Sequence, residues 1–222
     1  MRRVLRDNGL SVVLVTCFML FWAGQSVAGH REHNADRIEH GESPLPYLAY
    51  LRSAHFWEAT AENWESEFLQ IFSYVILTAM LFQRGSAESK DPDKAEPVDR
   101  DPRKSRSQED APWPVRRGGV VLKLYEHSLS LSFLLLFLVS ISLHAMAGAL
   151  VYNQEQAAHG AAERVSAAQY ATTSRFWYES FQNWQSEFLA IAAVVLLSIF
   201  LRQRGSPESK PVDAPYSETG GG

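Results

Sequence analysis

A chain of 222 residues with 46% hydrophobic and 21% charged side chains fits, on its averages alone, one or two water-soluble domains. The averages conceal a segregation: apolar residues gather in four blocks, while charges crowd the first residues, one central stretch and the flanks of the blocks. A net charge of -4 without a basic patch interleaved with aromatics argues against a nucleic-acid partner, and the single cysteine, Cys17, excludes an intramolecular disulfide and a cysteine-clustered metal site.

The first block carries no charge from Asn8 to Gly29, and the third carries none from His127 to Gln154 if its histidines are neutral. Each exceeds the ~20 residues that cross ~30 Å of hydrocarbon. Arg2, Arg3 and Arg6 before the first block, with Ser26, Val27, Ala28 and Gly29 at its end, imitate a cleavable secretory leader. An internal repeat argues for a retained helix instead. Residues n and n+119 align Leu10 and Ser11 with Leu129 and Ser130, Ala28 and Gly29 with Ala147 and Gly148, and Asn34 with Asn153. After one inserted residue, FWEATAENWESEFL from Phe56 matches FWYESFQNWQSEFL from Phe176, and QRGSAESK from Gln83 matches QRGSPESK from Gln203. The second copy of the first block is internal and cannot be a leader, so the first is read as a span as well.

The second and fourth blocks, Phe68 to Gln83 and Phe188 to Leu201, are short, but each copy must return the chain to its starting side if the copies are to have equivalent surroundings. The expectation is an all-α membrane protein with four transmembrane helices, a tandem duplication of a helical hairpin. Its first repeat is 1–85, with spans at about 8–29 and 63–83, and its second is 118–205, with spans at about 127–150 and 183–203. Lysines and arginines number 3 before the first span, then 3, 10, 2 and 3 in the successive segments after it. The positive-inside rule therefore puts both termini and the central loop in the cytoplasm and makes the repeats parallel. Residues 86–117, with eight basic residues, eight acidic residues and five prolines, read as a disordered cytoplasmic linker, and 206–222 as a disordered tail.

No proline or glycine interrupts the stretches after Ser53 and Ser174, so one helix is expected from about 54 to 83 and another from about 175 to 204, each ending with arginine in its last turn and Gly85 or Gly205 just beyond. Trp57, Trp64, Trp177 and Trp184 fall seven apart in each copy and are expected to anchor these helices at the outer interface. A hydroxyl, an amide and a carboxylate recur on one face at i, i+3 and i+7: Thr60, Asn63, Glu67 and Ser180, Asn183, Glu187. Gln25 and His144 occupy matching depths on the first and third spans. The candidate polar cluster is therefore Gln25, Asn63, Glu67, His144, Asn183 and Glu187. It serves either as interhelical hydrogen bonding or as a cation or proton site made of facing carboxylates. Glu65, replaced by Gln185 in the second copy, is set aside.

His30, His33 and His40 with Asp36 and Glu39 resemble a metal cluster, but the second copy keeps only His159, and a solvated acidic loop accounts for the first. No metal, cofactor or catalytic residue is assigned. Nucleophile elbow, phosphate-cradling loop and HExxH are all missing from the sequence, which leaves an enzyme the least supported class.

NWESEFL at Asn63–Leu69, QRGSAESK at Gln83–Lys90 and RDNGLS from Arg6 resemble a family of uncharacterised bacterial membrane proteins known only as a domain of unknown function. The resemblance implies a bacterial plasma membrane and brings no activity. The resulting expectation is a non-enzymatic envelope interaction or structural module, with the lipid bilayer as partner and a homo-oligomer or another membrane protein as a further one. The alternative is an oligomeric proton- or cation-linked transporter or channel.

Overall fold

The computed structural model describes residues 2–160 and 164–220. They form eight α-helices: α1 (Arg2–Glu39), α2 (Tyr47–Tyr50), α3 (Ala54–Met80), α4 (Trp113–Arg117), α5 (Gly119–Glu126), α6 (Ser128–Ala158), α7 (Ala167–Tyr170) and α8 (Ser174–Phe200). Two short 3-10 turns, Pro97–Asp99 and Pro102–Ser105, lie between α3 and α4, and the described residues include no strand. Three stretches are long and apolar enough to cross a membrane: Arg6–Glu39, Ser128–Ala158 and Ser174–Phe200. The α3 helix, 27 residues like α8, falls short of that hydropathy. It carries Glu65, Gln70, Ser73 and Tyr74 where α8 has Gln185, Ala190, Ala193 and Val194.

Helix bounds recur along the chain. The ends of α1 and α6, Glu39 and Ala158, are 119 residues apart, and α2 and α3 begin and end 120 residues before α7 and α8. Even the irregularities correspond. Within α1, Asn8 leaves helical geometry (φ -134, ψ 18), and 119 residues later His127 separates α5 from α6 (φ -114, ψ 10).

The chain divides into two compact units, one of residues up to Ala61 with Leu143–Thr173, the other of Glu62–Ser142 with Ser174 onward. Each unit draws on both halves of the sequence. In the first, Tyr50 and Tyr170 are almost wholly buried, lying against Gly29 and Gly148. Asn34 brackets the backbone of Leu45, its Nδ2 donating to the Leu45 carbonyl (3.0 Å) and its Oδ1 accepting from the Leu45 amide (2.7 Å). Asn153 does the same to Val165 at 2.8 Å in both directions. An amide side chain matches the donor and acceptor of one extended residue, which satisfies backbone that no helix covers. Trp22 packs with Phe18, Phe56 and Trp57 at 5.9–6.5 Å between ring centroids.

The long helices stop earlier than expected. Ser53 caps α3 through its hydroxyl, which accepts from the Phe56 amide at 3.3 Å. The other ends fall at Met80 and Phe200, so Arg84 and Arg204 lie outside the helices. The QRGS-x-ESK segments fold instead as matching turns. Ser89 Oγ accepts from the Gln83 amide (2.8 Å) and Ser209 Oγ from the Gln203 amide (2.9 Å), with Gly85 and Gly205 at φ 83 and 82. Serine hydroxyls offer the backbone an alternative to another helical turn, and that alternative prevails here.

The sequence leads one to expect no structure in 86–117 and 206–222, yet their described residues carry ordered turns. Lys90 pairs with Asp99, Arg84 with Asp93 and Lys94 with Asp91 at 2.7–3.1 Å, so the interspersed charges answer one another. Ala111, Val115 and Leu122 form a small apolar nucleus beneath α4 and α5. In the tail, Lys210 is 1% exposed and its Nζ donates to the carbonyls of Pro215, Tyr216 and Glu218. The Gly85 amide donates to Thr219 Oγ1 (2.8 Å) and the Gly220 amide to the Ser86 carbonyl (3.0 Å), fastening the tail to the first QRGS turn.

Candidate functional site

Within the second unit, α3 and α8 meet through polar side chains in parallel register, residue n lying opposite a residue near n+120. Asn183 Nδ2 donates to Glu62 Oε1 (2.6 Å), Trp184 Nε1 to Glu65 Oε1 (3.0 Å), and Gln70 Nε2 to the Glu187 carbonyl (3.3 Å). Where the helices end, Ser86 and Ser198 share a hydroxyl hydrogen bond of 2.9 Å. Aromatic contacts add Phe68 to Phe133 and Phe137 to Trp184 at ring separations of 6.4 and 6.2 Å. Glu65 is fully buried, the least exposed carboxylate in the described chain. A carboxylate removed from water is costly without donors, and here an indole N–H is one of them.

This seam redistributes the residues singled out from the sequence. Asn183 belongs to it, bonded to Glu62 and to the Glu179 carbonyl at 3.3 Å. Glu187 contributes its backbone carbonyl to the seam, and its half-buried side chain has the Glu67 carboxylate as a charge neighbour. On α3, Asn63 and Glu67 are exposed. Gln25 and His144 lie in the first unit, Gln25 Nε2 donating to Thr60 Oγ1 (3.4 Å) and His144 being fully buried. Of the four tryptophans, Trp57 gives its indole N–H to the Leu51 carbonyl (3.1 Å) and Trp184 gives its own to Glu65. Trp177, 39% exposed, packs on Phe181 and Trp184, and Trp64 is half-buried.

Glu65 is the residue the sequence reading passed over, because the second copy has Gln185 there. That glutamine is exposed and turns back to the Gln182 carbonyl (3.1 Å), so the asymmetry marks which copy supplies the acceptor. A signal was present: Glu58, Glu62 and Glu65 stand at i, i+4 and i+7 on α3, a carboxylate stripe on a helix expected to meet lipid.

Three histidines of the first unit make contacts within it. His30 Nε2 lies 2.7 Å from the Leu45 carbonyl and 2.9 Å from Asn34 Nδ2, and His33 stacks on His55 with ring centroids 4.5 Å apart. At the C-terminal ends of α1 and α6, Asp36 and His40 share a cavity of about 270 Å³ with Glu155 and His159, the residues 119 positions further on. Among the described residues no three histidines, cysteines or carboxylates are grouped so as to hold a metal ion.

The described chain is all-helical, and three of its helices are long and apolar enough to cross a membrane. Residues 1–221 match the family described as a domain of unknown function (DUF6766), and the chain belongs to that family. No curated protein and no solved structure matches it.

Proposed function

We propose that this chain is a four-span integral protein of a bacterial plasma membrane, a tandem duplication of one hairpin with both termini and the loop between the hairpins in the cytoplasm. In this reading it acts without catalysis, as an envelope interaction or structural module whose seam fixes α3 against α8 while its outer segments meet lipid, a second copy or another membrane protein. The observation that carries it is the inverted distribution of polarity. Leu10, Phe21, Leu135 and Leu189 are 62–76% exposed, whereas Glu65, His144 and Ser180 are 0% exposed. Water would reverse that arrangement, and hydrocarbon favours it. The matched helix bounds, 119 and 120 residues apart, support the duplication, and the surplus of lysine and arginine in alternate segments supports the orientation. The direct test is single-cysteine labelling in a Cys17→Ser background. Sites at residues 42, 107, 160 and 217 should react from the outside, the inside, the outside and the inside respectively, and labelling of 107 from the outside overturns the orientation.

A second reading, an oligomeric proton or cation pathway, is favoured by the matching positions of Glu67 on α3 and Glu187 on α8, 120 residues apart. In liposomes it predicts a proton or cation flux that the double variant Glu67→Gln, Glu187→Gln abolishes while the protein stays folded. Absence of flux in the wild type leaves the interaction module.

A further inference from the structure

The segment leading into the third long helix has two faces that the seam does not use. The α4–α5 pair closes over Ala111, Val115 and Leu122 and leaves Trp113 61%, Val120 75%, Leu124 57% and Tyr125 45% exposed. On α5, Val120, Lys123 and Leu124 share one face at i, i+3 and i+4, so a cation stands among apolar side chains. Beside that face is a cavity of about 450 Å³, lined by Arg103, Arg106 and Lys123 together with Glu126. Arg106 is fixed without any carboxylate. Its Nε donates to the Arg116 carbonyl (3.1 Å) and its Nη2 to the Arg117 carbonyl (3.2 Å), clamping the guanidinium on the last turn of α4. Gly118 makes room for it, since a Cβ there would stand 3.1 Å from Arg106 Cζ. Three cations therefore face one carboxylate, and none of the three is in an ion pair within the described chain. His127 and then the 31-residue α6 follow immediately, which places cavity and apolar face where a membrane-crossing helix begins.

The geometry points to an anionic phospholipid headgroup as the occupant of this cavity, its phosphate held by Arg103, Arg106 and Lys123 while Val120 and Leu124 enter the boundary of the acyl chains. Charge complementarity selects the ligand, because a headgroup of net negative charge supplies the counter-charge that three cations and a single carboxylate leave unmet. The adjoining apolar face selects lipid over a free anion, since inorganic phosphate gives Val120 and Leu124 nothing to cover them. The inference rests on the proposed orientation, which faces α5 toward the cytoplasmic leaflet.

Native mass spectrometry of the full chain in detergent, with phosphatidylglycerol or phosphatidylcholine of identical acyl chains, tests it. The wild type should retain phosphatidylglycerol at least tenfold more tightly, and Lys123→Gln and Arg103→Gln should each reduce that preference about 5-fold. Both substitutions spare the Arg106 clamp, and an unchanged melting temperature shows that the fold survives. Equal retention of the two lipids, or a preference that neither variant alters, overturns the proposal. Displacement of phosphatidylglycerol by millimolar inorganic phosphate overturns it too, by making the free anion the ligand. The lipid preference is read without reference to sides of a membrane, so it can fail or hold independently of the cysteine labelling that decides orientation.

Discussion

A Cβ at Gly29 would run into the Tyr50 hydroxyl, and one at Gly148 into the Tyr170 ring carbons. The two contacts differ in the atom that obstructs, and the difference is testable. Gly29→Ala should destabilise the detergent-solubilised protein by about 1–3 kcal/mol, and adding Tyr50→Phe should recover much of the loss by removing the offending oxygen. Gly148→Ala should cost a similar amount that Tyr170→Phe does not recover, because ring carbon remains in the way. Thermal denaturation of the four variants checks both arms. His40 gives a pH dependence of defined sign. Its Nδ1–H donates to the Asp36 carbonyl (2.9 Å), and the Asp36 carboxylate lies 3.4 Å away, so the imidazole titrates above its usual 6.5. A folded-state value above the unfolded one means that this contribution is complete below pH 6.5 and fades as pH rises through the folded value. His40 is exposed, so the effect on stability is small and NMR titration is the suitable measurement. Asp36→Asn should bring the midpoint part of the way back, leaving the share due to the carbonyl.

Among elements, the α3–α8 seam decides how the two halves of the sequence pair in the second unit. Glu65→Ala leaves the half-buried Trp184 indole without this acceptor and should cost about 1–3 kcal/mol, with a shift in tryptophan emission, while Glu65→Gln retains an acceptor oxygen and should cost less. Gln185→Ala, at the corresponding exposed site, should stay within about 0.5 kcal/mol. If the two alanine variants melt alike, the seam does not depend on the carboxylate. The sequence carried much of this level. Apolar length announced α1 and α6, the absence of proline and glycine after Ser53 and Ser174 announced α3 and α8, and the face bearing Thr60, Asn63 and Glu67 showed that α3 is not uniformly lipid-like. Which carboxylate goes inward was hidden, because comparison of the copies made the unrepeated Glu65 look dispensable. The helix ends were misjudged for a local reason: glycine and arginine are ordinary terminators, but Ser89 and Ser209 capture the amides of Gln83 and Gln203 first.

For the whole molecule, the charged stretches show where composition loses its grip. Residues 86–117 lack the apolar content for a core of their own, yet Ala111 and Val115 find Leu122 from the next element, and charges of both signs close turns on one another. The residues up to Ala61 complete a compact unit only with Leu143–Thr173, and those from Glu62 to Ser142 only with Ser174 onward. Separate expression of 1–110 and 111–222 should therefore yield two protease-sensitive fragments, and co-expression should restore a resistant complex that co-purifies on a single tag. A resistant first fragment by itself would contradict that interdependence.

The same division has a consequence in time. A ribosome that has delivered Ala61 must add a further 112 residues before Thr173 emerges, which at ~5–20 residues per second takes on the order of ten seconds. Throughout that interval the residues up to Ala61 lack the Leu143–Thr173 segment that completes their compact unit. Proteases then have their best opportunity to act on the incomplete unit. Slowing translation across codons 100–140 should increase its degradation far more than slowing it after codon 180.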